Sequence, residues 1–123
     1  MSRPSEAEPR ALKPRQEAFY QRVRALYREA GICVPSLRAA SRQIGAPPDA
    51  IRAMIQIGID RGELIDAGEG IYFAVETLQQ LATQLRTVSP PITVAKVRDL
   101  TRSSRRYAAA ALRCLKQRGW LLG

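Results

Sequence analysis

The sequence contains no histidine and only two cysteines, Cys33 and Cys114, which stand 81 positions apart. Structural zinc sites need four Cys or His ligands at short spacings, so no recurrent zinc-binding pattern can be assembled. The lack of histidine also removes the residue that serves most often as a general base. We therefore expect no metal site, and we interpret both cysteines as small buried hydrophobic residues.

Long apolar runs are equally absent from the chain. No stretch of about 18 consecutive apolar residues occurs, so no membrane-spanning helix is predicted. The N-terminus also lacks the apolar stretch of roughly 7–15 residues that a secretory signal peptide contains. We therefore expect a cytoplasmic protein that has no membrane partner.

Positive charge is what the sequence has in excess. Its 123 residues include 20 Lys and Arg against 11 Asp and Glu, which gives a net charge of +9, and 46% of the residues are apolar. The apolar fraction is ordinary for a globular protein, and the length suits one ordinary domain or two very small ones. The basic balance indicates an anionic partner, with nucleic acid first and an acidic membrane surface second.

The sequence predicts a tail followed by a first folded unit. Residues 1–15 combine three prolines with charged residues, a composition typical of a disordered tail or linker. Over residues 16–74, the first unit, the pattern gives a helix, a short strand at 32–34, two further helices and a hairpin around 68–70. This succession is typical of a winged helix, which is a variant of the helix-turn-helix fold.

The same succession begins again over residues 75–123, the second unit. A helical stripe precedes a short strand at 92–94, a short helix over 95–100 and a longer helix over 103–118. Trp120 would begin the wing, and we expect its return strand to be missing. The predicted fold is therefore mostly α with a small β-hairpin, as tandem winged-helix units of which the second lacks its complete wing.

The positive charge is concentrated in the second unit. Residues 1–88 hold twelve basic and ten acidic residues, whereas residues 89–123 hold eight basic residues and a single acidic one. At 100° per residue, the cations of the last predicted helix fall within an arc of about 100°. Two serines at the start of that helix suit a helix cap, a phosphate seat or both. The predicted nucleic-acid-binding residues are Arg102, Ser103, Ser104, Arg105, Arg106, Arg113 and Lys116.

Catalysis finds no support in the sequence. Ser103 and Ser104 have no histidine, no suitable base and no oxyanion motif to make either of them a nucleophile. We therefore predict no catalytic residue, no cofactor and no small-molecule substrate. The structural alternative for the basic stripe is a solvated face with no ligand.

The segment from Ile92 to Gly119 resembles the last winged helix of SelB, the bacterial selenocysteine-specific elongation factor family. The residues that match the family are Thr93, Arg98, Asp99, Ser104, Arg105, Tyr107, Ala108, Leu112, Leu115 and Gly119. Residues from about Gln16 to Phe73 resemble, less specifically, the preceding winged helix. The segment departs from the family pattern at Arg102, Arg113 and Lys116, which replace a glycine and two acidic residues.

The resemblance implies binding of the RNA hairpin that forms the selenocysteine insertion element in messenger RNA, through Ser104, Arg105 and Arg106. It also implies a GTPase half of the translation factor, in cis or in trans, and the ribosome as a partner by analogy. The chain itself has no Gly-x-x-x-x-Gly-Lys-Ser/Thr motif for GTP. Two other interpretations stay open, a DNA-binding transcription regulator and a protein-docking module.

Overall fold

The computed structural model describes residues 11–121, and within this range it contains six helices and two strands. In chain order, the elements are α1 (Pro14–Ala30), α2 (Leu37–Ile44), α3 (Pro48–Asp60), β1 (Leu64–Asp66), β2 (Tyr72–Ala74), α4 (Val75–Leu85), α5 (Val94–Thr101) and α6 (Arg105–Gln117). The first ten residues of the predicted tail, residues 1–15, lie outside the described residues. Pro14 and Arg15 already belong to α1, because the fixed φ of proline suits the first position of a helix.

The hairpin closes the first unit as predicted. Strands β1 and β2 pair antiparallel, with Leu64 opposite Ala74 and Asp66 opposite Tyr72. The turn between them needs a left-handed backbone, and Gly68 has a φ of 83°. The Asp66 carboxylate accepts a hydrogen bond of 2.8 Å from the amide of Gly68, which stabilises the turn. The order helix, helix, helix, hairpin is that of a winged helix.

The helix-turn-helix of the first unit is repeated in the second. Helices α2 and α5 both have eight residues and start at residues 37 and 94, 57 positions apart. Helices α3 and α6 both have 13 residues and start at residues 48 and 105, which is the same offset. Ser36 and Thr93 cap α2 and α5 in the same way, each accepting from a backbone amide three residues ahead. The repeat predicted from the sequence is therefore present in the backbone.

The two short strands predicted at 32–34 and 92–94 were wrong. Residues 32–34 and 92–93 lie in connections, Val94 already belongs to α5, and the sheet of the described chain consists of β1 and β2 only. Ile32 and Val34 nevertheless bury their side chains, and Thr93 serves as the cap of α5. The apolar β-branched residues thus reflect burial without strand pairing. No strand follows α6 within the described residues.

A single hydrophobic cluster runs through both units. Tyr27 and Phe73 are fully buried in the first unit, Leu115 is fully buried in the second, and Leu78 of α4 lies in the same cluster. Helix α4 contacts α1, β2 and α6, so it connects the two helix-turn-helix motifs. None of the helices within residues 11–121 is long and apolar enough to cross a membrane.

The two cysteines have different surroundings. Cys114 is buried as predicted, and burial raises the pKa of its thiol. Cys33 is exposed, so the prediction that it is buried was wrong. Its neighbours Ile32 and Val34 both face the core, and alternate side chains of an extended segment point in opposite directions. Cys33 therefore faces outward.

Candidate nucleic-acid interface

The predicted binding residues lie on α6 and on the turn that leads into it. Arg102 ends α5 in the left-handed conformation, with φ 54° and ψ 42°, and α6 starts only at Arg105. The expected start of the helix at Ser103 was therefore wrong, and Arg102 is not part of the helical arc. In the first unit the position equivalent to Arg102 is Gly45, which is also left-handed. The duplicated turn thus keeps its backbone conformation, although an arginine has replaced the residue that adopts it most easily.

The two serines of this turn differ in what they can donate. The Thr101 hydroxyl donates its one proton to the Val97 carbonyl. The Thr101 and Ser103 hydroxyl oxygens lie 2.7 Å apart, so in this second hydrogen bond Ser103 is the donor and Thr101 the acceptor. The Ser104 hydroxyl accepts from the amide of Tyr107 and caps α6, which leaves its own proton free to donate. Of the two hydroxyls, Ser104 is therefore the better donor to an anion.

Four cations share the outer face of α6, opposite a buried apolar face. The exposed residues of this cationic face are Arg105, Arg106, Arg113 and Lys116. The buried residues opposite them are Ala108, Ala110, Ala111, Leu112, Cys114 and Leu115. Within the described part of the chain, Arg105 and Lys116 form no hydrogen bond or ion pair with a protein group. The end of α6 nearest the turn therefore offers exposed charge, a capping hydroxyl and the first-turn amides that every helix leaves without intrahelical partners.

The other two cations of this face hold the hairpin of the first unit. The Arg106 Nη2 donates to the Glu69 carbonyl at 2.9 Å, and its Nε lies 3.8 Å from the Glu69 carboxylate. The Arg113 Nη2 donates to the Ala67 carbonyl at 2.7 Å. The sequence did not reveal these contacts, because the partners are separated by 37 and 46 positions. Helix α6 contains no acidic residue of its own, but its cationic face has Glu69 of the hairpin beside it.

Helix α3 is the internal comparison for α6, because it occupies the same place in the first helix-turn-helix. Its exposed Arg52 pairs with Asp49 at 2.7 Å. Gln56, at the position equivalent to Arg113, donates to Asp60 at 2.9 Å. Arg52, the one cation of α3, is therefore paired and the outer face of α3 is slightly negative, whereas α6 leaves most of its positive charge exposed.

Several basic residues of the first unit are committed to an internal ionic network. Arg61 donates two hydrogen bonds to Glu17, and these bonds lower the pKa of that carboxyl to about 2. Arg24 lies 3.5 Å from Glu63 and 2.6 Å from Glu76 of α4. This network ties α1 to α3 and α4, so its arginines stabilise the fold instead of meeting a ligand.

Among solved structures, the chain is similar to the mRNA-binding domain of elongation factor SelB from E. coli in complex with SECIS RNA. The two share a TM-score of 0.72 over 88% of this chain and 89% of that chain, with 17% sequence identity. At this identity the similarity establishes the fold, and it confirms for the fold the resemblance read from residues 92–119. No family model matches the chain, and no curated protein sequence does either.

Proposed function

We propose that the chain binds an RNA hairpin through the α5–α6 turn and the first turn of α6. The observation that carries this proposal is the contrast between α3 and α6. Equivalent helices of one repeat differ in that α3 pairs its single cation with a carboxylate, whereas α6 keeps Arg105 and Lys116 unpaired within the described chain. Clustered exposed cations supply most of the affinity of a protein for phosphates. Residues 16–74 and 75–123 act in this proposal as a supporting and a reading winged helix.

The position of the hairpin favours RNA over duplex DNA. A DNA recognition helix inserts into the major groove and contacts base edges from its N-terminal part, so its outward face must be open to the duplex. Here the turn containing Ala67 and Glu69 lies against that face of α6, where it holds Arg113 and Arg106. The end with Ser104 and Arg105 is left exposed, and this end suits the splayed nucleotides of an RNA loop.

The specific RNA in this proposal is the selenocysteine insertion hairpin of a messenger RNA, and the process is selenocysteine incorporation during translation. The sequence resemblance of residues 92–119 and the similar fold of the SelB mRNA-binding domain support it. The binding module has no catalytic role of its own. A GTPase half of the translation factor, in cis or in trans, and the ribosome complete the proposed set of partners in the cytoplasm.

Competition binding tests the class of ligand. A labelled RNA hairpin carrying an unpaired loop is bound to the protein at fixed salt, and unlabelled hairpin, RNA duplex or DNA duplex of equal length is titrated in. We expect the unlabelled hairpin to compete at roughly five- to 150-fold lower concentration than either duplex, which corresponds to about 1–3 kcal/mol. Equal competition by the DNA duplex would instead support a DNA-binding regulator.

A further inference from the structure

A groove separates the start of α6 from the first unit. Its volume is about 270 Å³, near the lower end of the roughly 300–1,000 Å³ typical of ligand sites. The connection before α2 forms one wall, the hairpin forms the second and the first turn of α6 forms the third. The polar and aromatic side chains that line it are Ser36, Arg52, Glu69, Tyr72, Arg106 and Tyr107.

Two tyrosines give this groove an aromatic lining. Tyr72 of β2 and Tyr107 of α6 are both half-buried, and each presents part of its ring to the groove. Both lie near the buried Tyr27, whose pKa burial raises to about 12 with a further contribution from the Tyr72 and Tyr107 hydroxyls. The Arg106 guanidinium lies 5.7 Å from the centre of the Tyr107 ring. Flat rings beside a guanidinium are the surfaces on which proteins stack unpaired bases.

The charge of the groove differs from that of the neighbouring helix face. Arg52 already pairs with Asp49, and Arg106 already lies beside Glu69. The groove is therefore close to neutral, which suits an uncharged base better than a phosphate. Arg105, one position away from Arg106, faces solvent and is available to the phosphates on either side of that base. A neutral aromatic groove thus adjoins a cationic face.

From this arrangement we infer that the groove between the two units binds a single unpaired base of the RNA. The inference rests on the proposed RNA binding and assigns to the first unit a part in recognition. The base stacks on the Tyr107 ring, with Tyr72 lining the groove from the hairpin side, and the adjoining phosphates lie along the first turn of α6. The hairpin tip, with Glu69, forms the mouth of the site.

The test compares two RNA hairpins that differ only at one unpaired position, which holds a base in the first hairpin and an abasic sugar in the second. We expect the wild-type protein to bind the first hairpin about five- to 150-fold more tightly, the range that corresponds to one stacked base. Tyr107→Leu should reduce this preference to near one and leave the salt dependence of binding unchanged. Tyr107→Phe, which keeps the ring, should retain the preference.

A measurement on the wild-type protein covers the case in which Tyr107→Leu fails to fold. A 5-iodouracil at the unpaired position is irradiated in the complex, and the cross-linked residue is identified by mass spectrometry. We expect the adduct on Tyr72 or Tyr107, whereas an adduct elsewhere would overturn the inference. Equal, salt-dependent binding of both hairpins would overturn the inference that the groove binds a base and would leave the proposed RNA binding intact. Failure of both hairpins to bind would overturn the proposed RNA binding itself.

Discussion

At the α5–α6 turn, backbone conformation and hydroxyl bonding decide what each side chain offers to an RNA. The left-handed backbone of Arg102 aims its guanidinium independently of the α6 helical arc. The Ser103 proton is used inside the turn, whereas the Ser104 proton is available. These roles depend on dihedral angles and on which lone pair is occupied. The sequence predicted the residue types of this proposed site but could not distinguish their roles.

Replacement of Arg102 by glycine is expected to separate stability from binding. The left-handed conformation costs an ordinary residue roughly 1–2 kcal/mol, and glycine avoids this cost. Part of the resulting gain in stability is lost because glycine is more flexible in the unfolded chain. Arg102→Gly should therefore raise the free energy of unfolding by about 0.5–1 kcal/mol in a urea titration and weaken RNA binding. Arg102→Ala should weaken RNA binding equally without the gain in stability. If both variants have the same stability, the backbone of Arg102 is not strained.

The Glu17 carboxyl gives a prediction about acid stability. Hydrogen bonds from Arg61 hold its pKa at about 2, below the ordinary 4.5. A carboxyl with a lowered pKa contributes its full stability above pH 4.5, and this contribution is lost as the pH falls toward 2. Glu17→Gln should therefore destabilise the protein at neutral pH and flatten the fall in stability between these two values. Glu29→Gln, an exposed change on the same helix, is the control and should leave the acid limb as in the wild type.

At the scale of elements, the helices followed from local signals and the contacts between units did not. Ser36 and Gly45 set the two ends of α2, and such ends follow from the local sequence because capping is a short-range interaction. The two predicted strands failed because pairing requires a partner strand, which the local pattern does not reveal. The contacts of α6 with the hairpin were missed for the same reason, since Arg113 and Ala67 come together only in the folded chain.

Arg113 is expected to fix the hairpin against α6. Arg113→Met removes the donor to the Ala67 carbonyl but keeps an apolar stem of similar length. We expect faster hydrogen exchange at the hairpin amides, including the Ala67 amide that bonds to the Ile71 carbonyl. Lys116→Met is the matched control, because it removes one exposed cation from the same helix face. Equal exchange rates in the two variants would show that the Arg113 contact does not hold the hairpin.

At the scale of the whole molecule, one repeated backbone carries two different distributions of charge. Arg24 and Arg61 of the first unit are paired with carboxylates within the fold, whereas Arg105 and Lys116 of the second unit extend into solvent. The unequal balance of basic and acidic residues in the two units was predictable, because it follows directly from the order of residues in the sequence. The shared core was not, since residues of both units form one cluster. The first unit therefore influences the orientation of α6 through direct packing.

Matched charge reversals test whether the first turn of α6 binds RNA. Arg105 and Arg15 are both exposed and both lie in the first turn of a helix, so a glutamate has a similar effect on helix stability at either site. The Cys33 thiol, just beyond the C-terminal end of α1, contacts the Arg102 carbonyl near the start of α6. Arg15 lies at the opposite end of the 17-residue helix α1, so it is about 25 Å from that contact.

The measurement is the affinity of each variant for the labelled RNA hairpin in a gel-shift titration at fixed salt. We expect Arg105→Glu to weaken binding by roughly ten- to 150-fold, since it removes a charge-assisted phosphate contact worth about 1.5–3 kcal/mol. Arg15→Glu should change the affinity by less than about twofold, as a substitution outside the interface does. Equal losses in both variants, or no loss in Arg105→Glu, would contradict RNA binding by α6.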